Sequence, residues 1–137
     1  MIRNVPQHRV EDVAVAVVPP ELGDPFDMEA FWDCYILNLK ESPIKNVLIN
    51  SRGYGELDGE ARRTNTFRYF YDEIGPMMVI PIEPIPSNLL KLTNEFWISF
   101  SWADYMYDKK YIFVQGSLNP EHFTTIPFLN RKGVMIR

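Results

Sequence analysis

Asn94-Glu95-Phe96-Trp97-Ile98-Ser99-Phe100-Ser101-Trp102 is the stretch that decides the fold class. Phe96, Ile98, Phe100 and Trp102 recur at every second position, with Trp97, Ser99 and Ser101 between them. Successive side chains of an extended chain point to opposite faces, so period-two alternation marks a strand with one buried face. The same signature appears upstream in Val10 to Val18, where Val13, Val15 and Val17 share one face and Ala14 and Ala16 the other. Pro19-Pro20 ends that run, because proline cannot donate to a sheet ladder. Phe31 to Leu39 and Ile44 to Ser51 read as two further strands, and the short break at Pro43 between them implies an antiparallel hairpin.

Downstream of these, Met77 to Ile85 is extended and carries Pro81 and Pro84, which places it at a sheet edge. Ser87 offers a cap for one helical turn over Asn88 to Lys91. Asn94 to Trp102 pairs with Lys110 to Gln115 across a polar tip at Asp104 to Asp108. Thr124 to Leu129 and Val134 to Ile136 form a closing hairpin around Asn130-Arg131-Lys132-Gly133. Thr66 to Ile74 fits two patterns: Phe67, Tyr69 and Tyr71 alternate as in a strand, whereas Phe67, Phe70, Tyr71 and Ile74 fall at helical spacing. Its ring content favours a strand. The chain is therefore expected to be an all-β, antiparallel sandwich of immunoglobulin or fibronectin type with seven to eight strands, a small closed barrel being the alternative. One domain covers 1–137, with 1–9 as a flexible N-terminal tail, and a core filled by rings and branched aliphatics leaves no room for an active-site cavity.

Composition sets outer limits. The chain has 137 residues, 46% of them hydrophobic and 14% aromatic, which suits a folded domain with its own core. A formal charge of −4 disfavours nucleic acid as the main partner, since duplex binding needs a positive face. Cys34 is the one cysteine, so no disulfide can close within the chain, and a cytoplasmic setting is expected. Neither a secretory h-region nor a run of some 20 apolar residues is present, so no membrane contact is expected.

Motifs with chemical content are few. Ser51-Arg52-Gly53-Tyr54-Gly55-Glu56-Leu57-Asp58-Gly59 opens a glycine-containing loop, read as running from Arg52 to Asn65. Arg52, Gly53, Tyr54, Arg62, Arg63 and Arg68 could together bind a phosphate or carboxylate, the arginines as planar forks and the glycine by freeing backbone N–H groups. The loop lacks the Lys-Ser/Thr ending of a P-loop and the G-x-G-x-x-G spacing of a dinucleotide fold. Glu56, Asp58 and Glu60 do not follow the order of a calcium loop. His8 and His122, the two histidines, form no spaced ligand set with Cys34, so no metal and no cofactor is expected. Cys34 on a strand reads as a small buried hydrophobe. Trp97, on a face it shares with two serines, reads as a ring packed under a loop or as part of an interface.

Asn46-Val47-Leu48-Ile49-Asn50-Ser51-Arg52-Gly53-Tyr54-Gly55, Thr64-Asn65-Thr66-Phe67-Arg68, Ile82-Glu83-Pro84-Ile85, Leu92-Thr93-Asn94-Glu95-Phe96-Trp97 and Tyr107-Asp108-Lys109-Lys110-Tyr111-Ile112-Phe113 resemble a family of small uncharacterised bacterial β-rich proteins. The resemblance implies no activity and no catalytic residue. Some similar sequences carry the label phenylalanyl-tRNA synthetase subunit. A synthetase catalytic subunit needs an ATP-binding sheet and hundreds of residues, and this short acidic chain supplies neither.

The expected function is a non-catalytic protein-interaction domain that engages a protein partner or a second copy of itself. A module binding a small anion through the Arg52–Arg68 loop is the alternative, and a hydrolase whose residues converge only in space is a more remote one.

Overall fold

The computed structural model describes residues 9–137. The expected tail at 1–9, with its His8, lies outside the described residues except for Arg9. Ten strands follow in order: β1 (Val13–Val18), β2 (Phe31–Asn38), β3 (Ile44–Leu57), β4 (Glu60–Arg63), β5 (Phe67–Ile74), β6 (Met78–Pro86), β7 (Thr93–Trp102), β8 (Tyr105–Phe113), β9 (Thr124–Ile126) and β10 (Arg131–Ile136). All pairings are antiparallel. They build two sheets, β6-β2-β1-β10-β9 and β4-β3-β7-β8, with β5 also on β3. Neither sheet closes into a barrel. Among the described residues no helix is long and apolar enough to cross a membrane.

β4 and β5 both pair with β3 on the side away from β7, β4 at Tyr54 to Leu57 and β5 at Ile44 to Ser51. They act as one interrupted strand, so the second sheet is four positions wide. Lettered as an immunoglobulin-type sandwich, β1, β2 and β6 take positions A, B and E, while β8, β7, β3 and β4/β5 take G, F, C and C′. The β9-β10 hairpin is added beside β1. That addition and the split C′ strand raise the expected seven to eight strands to ten.

The interior follows the alternation. Val13, Val15 and Val17 of β1 face Phe96, Ile98 and Phe100 of β7 within one buried cluster that includes Trp32, Ile36, Ile49 and Tyr111. The Tyr111 hydroxyl donates to the Val13 carbonyl at 2.6 Å, a polar tie between the sheets inside an apolar layer. Ala14, Ala16 and Val18 point the other way and are also buried, in a satellite cluster with Leu37 and Ile126. The outer face of the first sheet is thus covered as well.

Several local expectations are corrected. β2 and β3 do not form a hairpin: they belong to different sheets, and the Pro43 break is a sheet crossing. The segment from Arg52 to Asn65 is not a loop. β3 runs on to Leu57, and Asp58-Gly59, with φ of 54° and 79°, makes the two-residue turn into β4. Within Thr66 to Ile74, Phe67–Ile74 is strand β5, as its rings imply. Ser87 caps nothing. The 3-10 turn Ser87–Lys91 begins after Pro86 without a side-chain cap, and the Ser87 hydroxyl reaches the Pro25 carbonyl at 3.4 Å. The tip between β7 and β8 is only Ala103-Asp104, with φ of 51° and 66°.

Nor is Gly133 a turn residue. It sits within β10, and a Cβ built there would lie 2.5 Å from the Val17 carbonyl oxygen and 3.0 Å from Val18 Cα. Backbone approach, not turn geometry, requires this glycine. Gly133→Ala is expected to destabilise the fold by about 1–3 kcal/mol, the usual cost of overpacking. Urea unfolding checks this, and an unchanged midpoint would show that β10 can move aside.

Candidate functional site

On the outer face of the second sheet, the strand registers fix which residues are neighbours. Lys110, Trp97, Asn50 and Arg68 form one row across β8, β7, β3 and β5. The next row is Asp108, Ser99, Leu48 and Phe70. On the other side come Ile112, Glu95 and Arg52, and then Thr93, Tyr54 and Arg63. Phe70 opposes Leu48 directly, Leu48 is diagonal to Trp97, and Trp97 is diagonal to Ile112. Diagonal neighbours in a sheet lie about 7–8 Å apart, within reach of large side chains. Phe70, Leu48, Trp97 and Ile112 therefore form an oblique apolar stripe, and each is between 39% and 59% exposed.

The face that looked polar along β7 alone is apolar across strands. Trp97 points outward as expected, and the Lys110 ammonium sits over its ring at 5.1 Å. The interface candidate and, of the anion-site candidates, the side chains of Arg52, Tyr54, Arg63 and Arg68 fall on this surface. Arg52 Nε meets Glu95 Oε2 at 2.9 Å, the Tyr54 hydroxyl lies 3.4 Å from Glu95 Oε1, and the Arg52 guanidinium lies over the Tyr54 ring at 5.4 Å. Glu95 is only 6% exposed, so Arg52 neutralises a buried carboxylate and its charge is already committed.

Arg52, Gly53, Tyr54 and Arg63 line one open depression of about 360 Å³ with Thr64 and Thr66. The Gly53 N–H donates to Thr64 Oγ1 at 2.6 Å, and the Thr64 N–H donates to the Gly53 carbonyl at 2.9 Å. The glycine's backbone is therefore tied to Thr64 rather than open to an anion. Arg62, opposite Gly55, points to the reverse side of the hairpin and pairs with Glu60 at 3.2 Å. Arg68 lies in the Trp97 row, outside the depression. Arg63 has no ion-pair partner among the described residues.

Other candidates sit apart from this face. Cys34 is buried in the core, and desolvation, with the nearby Asp33 charge second, pushes its thiol far above the ordinary range. A nucleophile needs the opposite shift. His122 lies on an exposed 3-10 turn, Pro120–His122, 3.6 Å from Glu121. No group of three His, Cys, Asp or Glu side chains arranged for a metal occurs among the described residues. Tyr69 is pushed up to about 12, chiefly by desolvation and then by its 2.9 Å hydrogen bond to Glu83.

Two hollows flank the sandwich rather than its centre. One, of only about 50 Å³, lies where β3, β6 and β7 approach one another, and it is lined by Phe67, Pro84, Leu89 and Phe96. A wider cleft of about 590 Å³ opens among the end loops, lined by Phe26, Met28, Leu57, Leu90 and Leu118. The space between the sheets is filled, but the loop end holds an open hollow that strand alternation does not reveal. Its titratable lining is Glu56, Asp58 and Lys91.

Comparison with known proteins returns no matching protein-family model, no matching curated protein and no matching solved structure.

Proposed function

We propose that the chain is a non-catalytic protein-interaction domain working through the outer face of its second sheet. The observation that carries this reading is the Phe70–Leu48–Trp97–Ile112 stripe, with Arg68 and Lys110 at its flanks. Four large apolar side chains lie contiguous and half-exposed on a sheet, while the opposite outer face has its own satellite core. Soluble chains rarely leave such a surface bare unless it binds something, and aromatic residues with neighbouring cations are typical of binding hot spots. The partner is a protein with a complementary apolar, partly acidic surface, or a second copy of the chain.

The test uses Trp97→Asp, which replaces a large ring by a small side chain at an exposed position and puts charge into the middle of the stripe. Proteins cross-linked to the wild-type domain should be lost with this variant, a change of at least about 2 kcal/mol if Trp97 is a hot spot. Equal recovery by both would refute the assignment of the face.

A second reading draws on Arg63. Its guanidinium has no carboxylate partner among the described residues and stands beside Tyr54, Thr64 and Thr66, an arrangement suited to one small oxyanion. Inorganic phosphate should then raise the melting temperature of the wild type, by the equivalent of about 2.7 kcal/mol at a hundred times the dissociation constant. The rise should vanish in Arg63→Ala. A rise that persists in that variant would place the anion elsewhere.

A further inference from the structure

The four outer strands of the sandwich are not equally protected against pairing. β6 carries Pro81, Pro84 and Pro86, which interrupt any row of donors. β9 has only three residues. β8 places Lys109 at its centre. β5 is eight residues long, without proline, glycine or lysine, and holds Phe67, Tyr69, Phe70 and Tyr71.

The backbone of β5 can be oriented from its neighbours. The two-residue turn at Asp58-Gly59 makes Leu57 and Glu60 a pair that exchanges both ladder hydrogen bonds, and such pairs alternate along an antiparallel ribbon. The odd-numbered residues of β3 near this turn therefore address β4 and β5, as the Thr64 N–H on the Gly53 carbonyl shows. The pairs Ser51–Phe67, Ile49–Tyr69 and Val47–Tyr71 carry this pattern into β5. Arg68, Phe70 and Asp72 are left with their N–H and C=O groups turned away from β3, along an edge to which no strand is paired among the described residues.

We propose that a second copy of this chain pairs antiparallel along β5 about a two-fold axis at Phe70. This rests on the reading of the surrounding face as an interaction surface and names both its partner and its register. In this register the outward backbone groups of Arg68, Phe70 and Asp72 all meet one another, whereas a two-residue shift one way sets Asp72 against Thr66, outside β5, and the other way sets Arg68 against Ile74, whose carbonyl already accepts from Asn38. Arg68 lies opposite the partner's Asp72, and Asp72 opposite the partner's Arg68, so two ion pairs form on the outer face. Phe70, 59% exposed in the single chain, meets the partner's Phe70. The two apolar stripes then join into one across a continuous sheet. The equivalent pairing along β8 also sets Asp108 against Lys110, but it brings Lys109 against the partner's Lys109 at the axis. The β5 axis carries a ring instead of a repelled charge.

The ion pairs supply the test. Arg68→Asp places two carboxylates opposite each other in a homodimer, and Asp72→Arg does the same with two guanidinium groups. A mixture of these variants pairs acid with base at both positions. Sedimentation should give twice the 16.1 kDa chain mass for the wild type, the single-chain mass for each variant alone, and the doubled mass again for their equimolar mixture. A wild type that stays single at every concentration overturns the proposal. So does a dimer that persists in either variant, or a mixture that stays single while both variants keep the wild-type circular dichroism. Trp97 lies on β7, with β3 between it and β5, so its cross-linking test decides the reading of the face independently of this one.

Discussion

The structure depends first on one buried amide. Asn38, at the end of β2, is fully buried and shares its Nδ2 hydrogens among the carbonyls of Ser42, Ile74 and Gly75 at 3.0, 3.2 and 3.0 Å. Its Oδ1 accepts from the Lys40 N–H at 3.0 Å. Ser42 lies in the crossing from β2 to β3, and Ile74 and Gly75 begin the crossing from β5 to β6. A single side chain thus holds both places where the chain changes sheets at this end of the sandwich. Crossings leave carbonyls without ladder partners, and an unpaired buried polar group costs about 1–3 kcal/mol. Trp102 adds to the same corner by donating to the Ser42 hydroxyl at 2.7 Å, with Lys40 over its ring.

With the crossings fixed, the two outer faces meet different fates. The first sheet clothes itself: Ala14 and Ala16 are small enough for Ile126 and its neighbours to pack over them, and Arg131 joins Asp33, Tyr35 and the Pro19 carbonyl at 2.7 to 3.0 Å. Among the described residues no comparable cover lies on the second sheet. Its large apolar residues stay half-exposed beside Arg68 and Lys110, and its β5 edge pairs with no other described strand. Covering one face and leaving the other bare confines the exposed apolar stripe to a single side of the molecule. The proposed interaction face and the proposed self-pairing edge are two parts of that side.

The layered all-β architecture was legible because alternation in Asn94 to Trp102 and Val13 to Val17 reports a local periodicity. What was not legible depended on partners distant in sequence. The Pro43 break looks like a hairpin until Asn38 is seen to bind Ser42 and Gly75 together. The Arg52 to Asn65 segment looked like a loop, although Asp58-Gly59 is a strong signal for a two-residue hairpin and would have extended β3 correctly. Gly133 resembles a turn glycine, and only the closeness of Val17 shows its purpose. Among the site candidates, Trp97 was readable as outward from its serine neighbours. Its apolar companions Leu48 and Ile112 came from the strand registers. The registers also separated Arg63 from Arg62 and revealed that Arg52 serves Glu95.

Equilibrium unfolding of Asn38→Leu bears most directly on this account. Leucine keeps the branching of asparagine at Cγ, on a larger side chain, while removing every polar partner from the carbonyls of Ser42, Ile74 and Gly75 and from the Lys40 N–H. If the amide holds both crossings, the loss of stability should reach about 3 kcal/mol or more, since several buried groups are orphaned at once. A loss within about 0.5 kcal/mol, the range of an ordinary surface substitution, would contradict it and place the control of the sheet crossings elsewhere.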